Sequence, residues 1–513
     1  MLKMSSKKLS LFDRSLVLLA KSSFVVLIGI ILSKIFTYGY RIVIARYYGP
    51  EYYGLFSLSL MVIGWFIVFT KFGLTQGLLR YISLFRGKNQ KGNISYIFRT
   101  VLRILIITSV IGAAILFFLS EVISQRIFSN PQLILFLKFF SFAIPITIIL
   151  GTFLSIIRSY EKIGWFSFIS RIFENGSKLA VLVLLILIGF NSLSIPISYL
   201  AGGFASLLVG YLVLKRHIPE VFVKKKISEE KKRSILKNLI SYSWPLIFFG
   251  IIVSLFHWTD TLIIGIFRTV EEVGFYNAAI PISILLTLSK DLFTQLFFPL
   301  VTKEYSRGRI DLVRQLSKQV GKWVFILSMP IFLLIMIFPN AFINILFGPQ
   351  YLPAVNALRF LTVGALFTSV FEISRDLISM KGKSKLILID IIVVSVINLI
   401  LNLILVPRYG ISGAGFATMI SLIILNMTFV FQSWKHLSIL PMRKKILWVL
   451  VVSLIPALIL LGLKQLLPIN VYSLIFLIFV FFATYTILII KGNCLDRNDK
   501  FILRLIKKKL FSG

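Results

Sequence analysis

Acidic residues are scarce in this chain. Asp and Glu number 19 against 56 Lys and Arg, and only 15% of the 513 residues are charged. Ordinary soluble domains carry about 25%. So little polar surface cannot coat the roughly three domains that a soluble chain of this length would form. A hydrophobic content of 58% excludes disorder by the same arithmetic. Cysteine is almost absent: Cys494 alone excludes an internal disulfide, and no His/Cys spacing suits a metal, so no metal site is expected. Gly-rich phosphate loops and nucleophile motifs are missing too. The chain is therefore expected not to be an enzyme and not to hydrolyse ATP. No cofactor is expected beyond a coupling Na⁺ or H⁺. The first apolar run, near Ser22, lacks a small-residue cleavage site and reads as a retained helix.

What the chain has instead is long apolar sequence, with a mean hydropathy of +0.93. A hydrocarbon core of about 30 Å takes roughly 20 helical residues. That ruler predicts fourteen spans, near 22–46, 54–72, 98–120, 132–156, 172–189, 195–215, 241–265, 277–301, 320–338, 355–378, 386–406, 413–433, 446–464 and 471–490. The fold class is all-α integral membrane.

A net charge of +37 in a soluble protein would point to nucleic acid. Here the basic residues cluster between apolar runs, as cytoplasmic loops do, so no nucleic-acid partner is expected. Counted from the N-terminal tail, the odd-numbered connections carry only Arg46, Arg126, Arg268, Arg408 and Lys464. The bias places both termini in the cytoplasm of a multi-pass cell-membrane protein with short outer loops. The connection from Lys215 to Lys237 holds Lys224-Lys225-Lys226 and Lys231-Lys232-Arg233. It reads as an orientation signal in contact with anionic membrane lipids, or as a tether between two halves.

The halves share a plan. Tyr40–Phe56 aligns without gaps on Asp260–Tyr276, an offset of 220, placing Glu51 on Glu271 and Gly54 on Gly274. Leu137–Phe140 matches Leu358–Leu361, and Gly203–Ser206 matches Gly415–Thr418. The expected organisation is a six-helix lobe over 1–215, a basic linker over 216–240 and a second six-helix lobe over 241–440. Two extra helices and a basic tail fill 441–513. An even repeat keeps both copies in one orientation, so a pseudo-twofold axis runs along the membrane normal.

Ionisable groups at bilayer depth normally face a cavity or a partner. Lys34, Thr37, Tyr38 and Arg41 share one face of span one. The repeat carries that face onto Ser254, His257, Trp258 and Thr261 of span seven, with Asp260 alongside. Lys138 and Arg359 are matched cations near the outer ends of spans four and ten; Lys290 and Asp291 lie mid-span in span eight. The candidate cavity residues are Lys34, Arg41, Lys138, His257, Asp260, Lys290 and Arg359. The candidates for ion coupling are Asp260, Asp291, Glu372 and Asp390. Snorkelling and helix-to-helix hydrogen bonding are the plainer alternative. For Glu372, Arg375 and Asp376 the plainer reading is a local ion pair at i, i+3, i+4 spacing. A cavity rich in Lys and Arg suits an anionic solute, phosphates above all. Prolines 145, 245, 281, 299 and 330 interrupt several spans and are expected to kink them.

The run INLILNLILVPRYGISGAGFATMIS over 397–421 closely resembles the span eleven-to-twelve segment of the polysaccharide and oligosaccharide flippases. These belong to the multidrug/oligosaccharidyl-lipid/polysaccharide exporter superfamily. TDTLIIGIFRTVEEVGFYNAA over 259–279, with its Asp260, resembles the same family's span seven-to-eight hairpin. FGLTQGLLRYIS over 72–83 and LFFPLVTKEYSRGR over 296–309 are similar to it as well. The resemblance implies a MATE-like fold of two six-helix lobes around a V-shaped cavity. It implies transfer of a polyprenyl-diphosphate-linked oligosaccharide across the cytoplasmic membrane by alternating access; a monomer is expected. The alternative is an ion-coupled multidrug or small-molecule antiporter of the same fold, for which buried acids would be expected to outnumber cations. A membrane polymerase or ligase would need large outer loops, and a scaffold gives no reason for paired polar faces.

Overall fold

The computed structural model describes residues 11–223, 227–443, 445–466, 471–496 and 499; it does not describe the side chains of 11–31, 295, 296 and 471. Lys224-Lys225-Lys226 and the tail beyond Asp499 lie outside the described residues. Among the described residues, eleven helices are long and apolar enough to cross a membrane. The described elements are helical, as the composition demands: in lipid a backbone must satisfy its own hydrogen bonds.

The chain divides into two compact units. One comprises Leu32–Asn277 with Asn402–Ile411; the other comprises Met1–Ile31, Ala278–Leu401 and Ser412–Gly513.

In the first unit, α1 (Leu11–Lys71) enters from Leu32 onward. Unbroken, its 61 residues would stretch about 90 Å, three bilayer cores. Gly49 ends the first limb with φ 84°, and Pro50 starts the second. A positive φ favours glycine because other residues clash there through Cβ. There follow α2 (Leu74–Gly87), α3 (Lys91–Val122), α4 (Gln132–Ser141), α5 (Ala143–Ser159), α6 (Ile163–Ser167), α7 (Glu174–Leu187), α8 (Ser194–His217) and α9 (Glu229–Phe267). The break between α4 and α5 sits three residues before Pro145, whose missing N–H frees the Ser141 carbonyl. Helix α9 starts inside the basic segment at 216–240. Ser228 is its extended N-cap residue, and Glu229 and Glu230 lie in the first turn ahead of Lys231-Lys232-Arg233, the order a helix dipole favours.

The second limb of α1 runs along α9 on small residues. A Cβ on Gly64 would lie 3.3 Å from Trp258 Nε1, and one on Gly250 would lie 3.2 Å from Val68. A Cβ on Gly73 would overlap the Ser243 carbonyl oxygen. Without water to drive association, helices in lipid pair through such close backbone approach.

Helix α10 (Val270–Ile284) belongs to the first unit up to Asn277 and then passes into the second. The second unit continues with α11 (Leu288–Ser306), α12 (Ile310–Ile337), α13 (Pro339–Leu346), α14 (Val355–Phe371), α15 (Ile373–Met380), α16 (Ser384–Leu437, apart from Asn402–Ile411 of the first unit), α17 (Lys445–Leu466) and α18 (Val471–Lys491). Helix α16 repeats the device of α1: 54 residues, broken at Gly410 with φ 57°, three residues after Pro407. One core is built on Phe297, Val320 and Leu377. A second joins Phe325 and Phe338 to Val449, Leu477 and Phe481, fastening α17 and α18 onto α12.

Candidate functional site

Polar side chains gather at separate places inside each unit. In the first unit Asp260 is buried on α9. The Tyr276 hydroxyl of α10 donates to its Oδ2, and the Asn402 amide donates to its Oδ1 at 2.8 Å. Two donors suit a buried carboxylate, which would otherwise lose its hydration uncompensated. Beside it, the Asn277 amide donates to Thr261 Oγ1 (3.3 Å) and the Tyr53 hydroxyl donates to the Asn277 carbonyl (3.2 Å). Arg41 lies next to Tyr53 and within electrostatic reach of His257. Of the expected cavity residues on the first helices of the two halves, Asp260 holds this group and Arg41 lies beside its Tyr53. His257 is an exposed ring edge-on to Trp258 at 4.9 Å.

In the same region two glycines related by the 220-residue offset meet one another's backbone. A Cβ on Gly54 would overlap the carbonyl oxygen of Val270 and lie 2.9 Å from its carbon. A Cβ on Gly274 would overlap the carbonyl oxygen of Pro50 and lie 3.0 Å from its carbon. Pro50 and Gly54 become Val270 and Gly274 under the offset, so the contact is reciprocal. The repeat also turns the Tyr40–Phe56 edge contact (5.7 Å) into the Asp260–Tyr276 hydrogen bond. One copy is aromatic and the other charged.

Lys34 is half-buried with Nζ 5.2 Å from the Tyr38 ring centroid, and Lys138 is half-buried with Nζ 5.4 Å from that of Phe117. The sequence reading overlooked a buried pair on α7. Lys178 Nζ lies 2.9 Å from Glu174 Oε1 and 3.8 Å from the centre of the Tyr199 ring. Gly202 lets α8 approach there, since a Cβ would lie 2.8 Å from Lys178 Cα. The i, i+4 spacing of an acid and a base in an apolar span was the available signal.

In the second unit Lys290 does not stand alone. Its ammonium pairs with Glu372, and Asp291 lies 3.9 Å away. Arg375 joins Glu372 at 2.5 Å and Asp376 at 3.7 Å. Asp390 accepts from the Gln432 amide at 2.9 Å. Arg359 is exposed and reaches Asn356 Oδ1 at 3.4 Å. A further knot was not foreseen. Lys322 of α12 is fully buried and pairs with Asp499 and, at 2.7 Å, with Asp496; Arg443 and Lys445 also hold Asp496. The Trp323 indole donates to Asp499 at 2.8 Å. Burial opposes the charge on Asp496, yet the hydrogen bonds from Lys322 and Lys445 hold its carboxyl at about 2.

Broken membrane helices with ionisable clusters held inside them define the class of helical membrane transporters. The sequence profile described as "Polysaccharide biosynthesis protein" matches residues 19–304, more than half of the chain, and the chain belongs to that family. It is 29% identical over 265 residues to the probable low-salt glycan biosynthesis flippase Agl15 of Haloferax volcanii, covering 51% of this chain and 56% of that one. Among solved structures it resembles the lipid II flippase MurJ in an inward closed conformation. The TM-score is 0.71 at 17% identity, over 90% of this chain and 97% of that one. It also resembles an inward-facing MATE family multidrug transporter of the MOP superfamily. There the TM-score is 0.67 at 14% identity, over 79% and 94% of the two chains. The fold is thus MATE-like.

Proposed function

We propose that this protein is a flippase that moves a polyprenyl-diphosphate-linked oligosaccharide from the cytoplasmic to the outer leaflet of the cell membrane. It serves glycan assembly by alternating access, as a transporter and not an enzyme. Membership of the polysaccharide biosynthesis family is the observation that carries this reading. The flippase named among its relatives supports it.

Fourteen spans follow from the eleven long helices if α1 and α16 each count as two at their glycine breaks and the stretch ending in α7 supplies the last. The reciprocal Gly54/Gly274 contact supports a pseudo-twofold between lobes at 1–215 and 241–440. Both termini are cytoplasmic on the charge bias, and the working unit is a monomer. Lys34 and Arg41 grip the diphosphate while the lipid tail stays in the bilayer. Lys138 and Arg359 serve the outer side. Lys290, neutralised by Glu372, contributes only if that pair opens. Asp260 is the foremost candidate for coupling to Na⁺ or H⁺. The second reading, a small-molecule antiporter, draws on the likeness to the MATE transporter.

The test is accumulation of unflipped glycolipid on the inner leaflet of cells carrying Lys34→Ala at the wild-type protein level. Lys34→Arg should keep more activity, because charge matters more than shape for gripping a flexible phosphate. Flipping at the wild-type rate by Lys34→Ala would remove Lys34 from the mechanism.

A further inference from the structure

Where α15 ends and α16 begins, the chain reads Met380-Lys381-Gly382-Lys383-Ser384-Lys385. Gly382 takes φ 80°, a left-handed turn that brings Lys381 and Lys383 back toward the last turn of α16. There Lys381 donates to the His436 carbonyl. Lys383 Nζ lies 3.1 Å from His436 Nδ1. Lys435 is exposed beside it. Three lysines, Lys381, Lys383 and Lys435, thus converge on His436, and among the described residues no carboxylate forms an ion pair with any of them. The acid of the same hairpin, Asp390, is engaged by Gln432.

The helix start sharpens the imbalance. Helix N-termini favour Ser, Thr or Asp caps and acids in the first turn. Helix α16 has Lys383 at its cap and no acid in its first turn. The lysines at Lys178, Lys290 and Lys322 each have a carboxylate partner; among the described residues this cluster has none. Immediately deeper along the same limb, Trp434 and Phe431 are exposed with ring centroids 6.1 Å apart. An aromatic pair just inside a cationic cluster matches the layering of a leaflet, rings at the acyl boundary and cations at the phosphates.

We infer that the 381–385 turn and the end of α16 form a binding site for the phosphate of an anionic inner-leaflet phospholipid. Lys381, Lys383 and Lys435 hold the headgroup, and Trp434 lies along its chains. The assignment to the inner leaflet rests on the orientation given under the proposed function; the site itself does not depend on transport.

The experiment is native mass spectrometry of the full-length protein in detergent, titrated with phosphatidylglycerol, phosphatidylcholine or inorganic phosphate. Each lysine near an anionic surface contributes about fivefold in affinity, so Lys381→Gln/Lys383→Gln/Lys435→Gln should bind phosphatidylglycerol roughly a hundredfold more weakly. The triple arginine variant should retain binding. Should the triple Gln protein not fold, Lys435→Gln alone should still lose about fivefold, since Lys435 is exposed. Three results would overturn the inference: unchanged phosphatidylglycerol binding in the Gln variants, equal affinity for phosphatidylcholine, or displacement of the lipid by inorganic phosphate, which would mean an ion site. A failed flipping assay leaves this measurement untouched.

Discussion

Gly54 and Gly274 offer a perturbation whose cost can be worked from the geometry. Alanine at either position drives its Cβ into a backbone carbonyl, that of Val270 or of Pro50. Neither carbonyl is the movable end of a side chain, so the two short turns must part by about 1.5 Å to reach ordinary contact. Overpacking of this kind costs about 1–3 kcal/mol. The two sites share one contact, and parting the turns once relieves both clashes. Gly54→Ala/Gly274→Ala should therefore cost clearly less than the sum of the singles, with a coupling of about 1 kcal/mol or more. Urea unfolding of the detergent-solubilised protein reads the cycle, with Gly462→Ala as control, since nothing lies within 4 Å of its Cβ position. That control should be neutral or gain up to about 1 kcal/mol from helix propensity. Strict additivity, or a Gly54→Ala protein as stable as wild type, would refute the reciprocal contact.

Other consequences concern the polar clusters. Lys322→Ala leaves Asp499 buried without its cation and should destabilise the protein by about 3–5 kcal/mol in thermal unfolding, whereas Lys303→Ala, on the same unit, should cost under about 1 kcal/mol. The Asp496 carboxyl is depressed to about 2 in the folded protein, from 3.8. Its stabilisation is therefore complete above about pH 4 and lost as pH falls toward 2. In Asp496→Asn the stability difference between pH 5 and pH 3 should shrink relative to wild type. Asp260→Asn should fold, because Tyr276 and Asn402 can still bond to an amide, but should lose any dependence of transport on an ion gradient. Retained ion dependence would exclude Asp260 as the coupling group.

The spans were legible because an apolar run of about 20 residues has few fates besides a membrane helix. The two longest helices were legible as hairpins through Gly49-Pro50 and through the Pro407–Gly410 segment, where the sequence offers a chain reversal. The early start of α9 was hidden by its charge, since a basic segment reads as a linker until Glu229 and Glu230 are placed at a helix N-terminus. Partners of ionisable groups were legible only at short range. The Arg375–Glu372 pair follows from i, i+3 spacing, but Lys290 with Glu372 and Lys322 with Asp499 join residues 82 and 177 positions apart. No periodicity reports such pairs. The offset of 220 located the Gly54/Gly274 correspondence but not their reciprocal packing, which depends on how two turns dock.

Transbilayer movement of a lipid-linked glycan can be read directly in vesicles. Purified protein in vesicles containing a polyprenyl-diphosphate oligosaccharide, probed with a membrane-impermeant glycosidase, tests it most directly. Glycan sealed in the inner leaflet should become accessible with protein and stay protected in empty vesicles. Protection equal to that of empty vesicles, from protein that exchanges a cationic drug for protons, would contradict it.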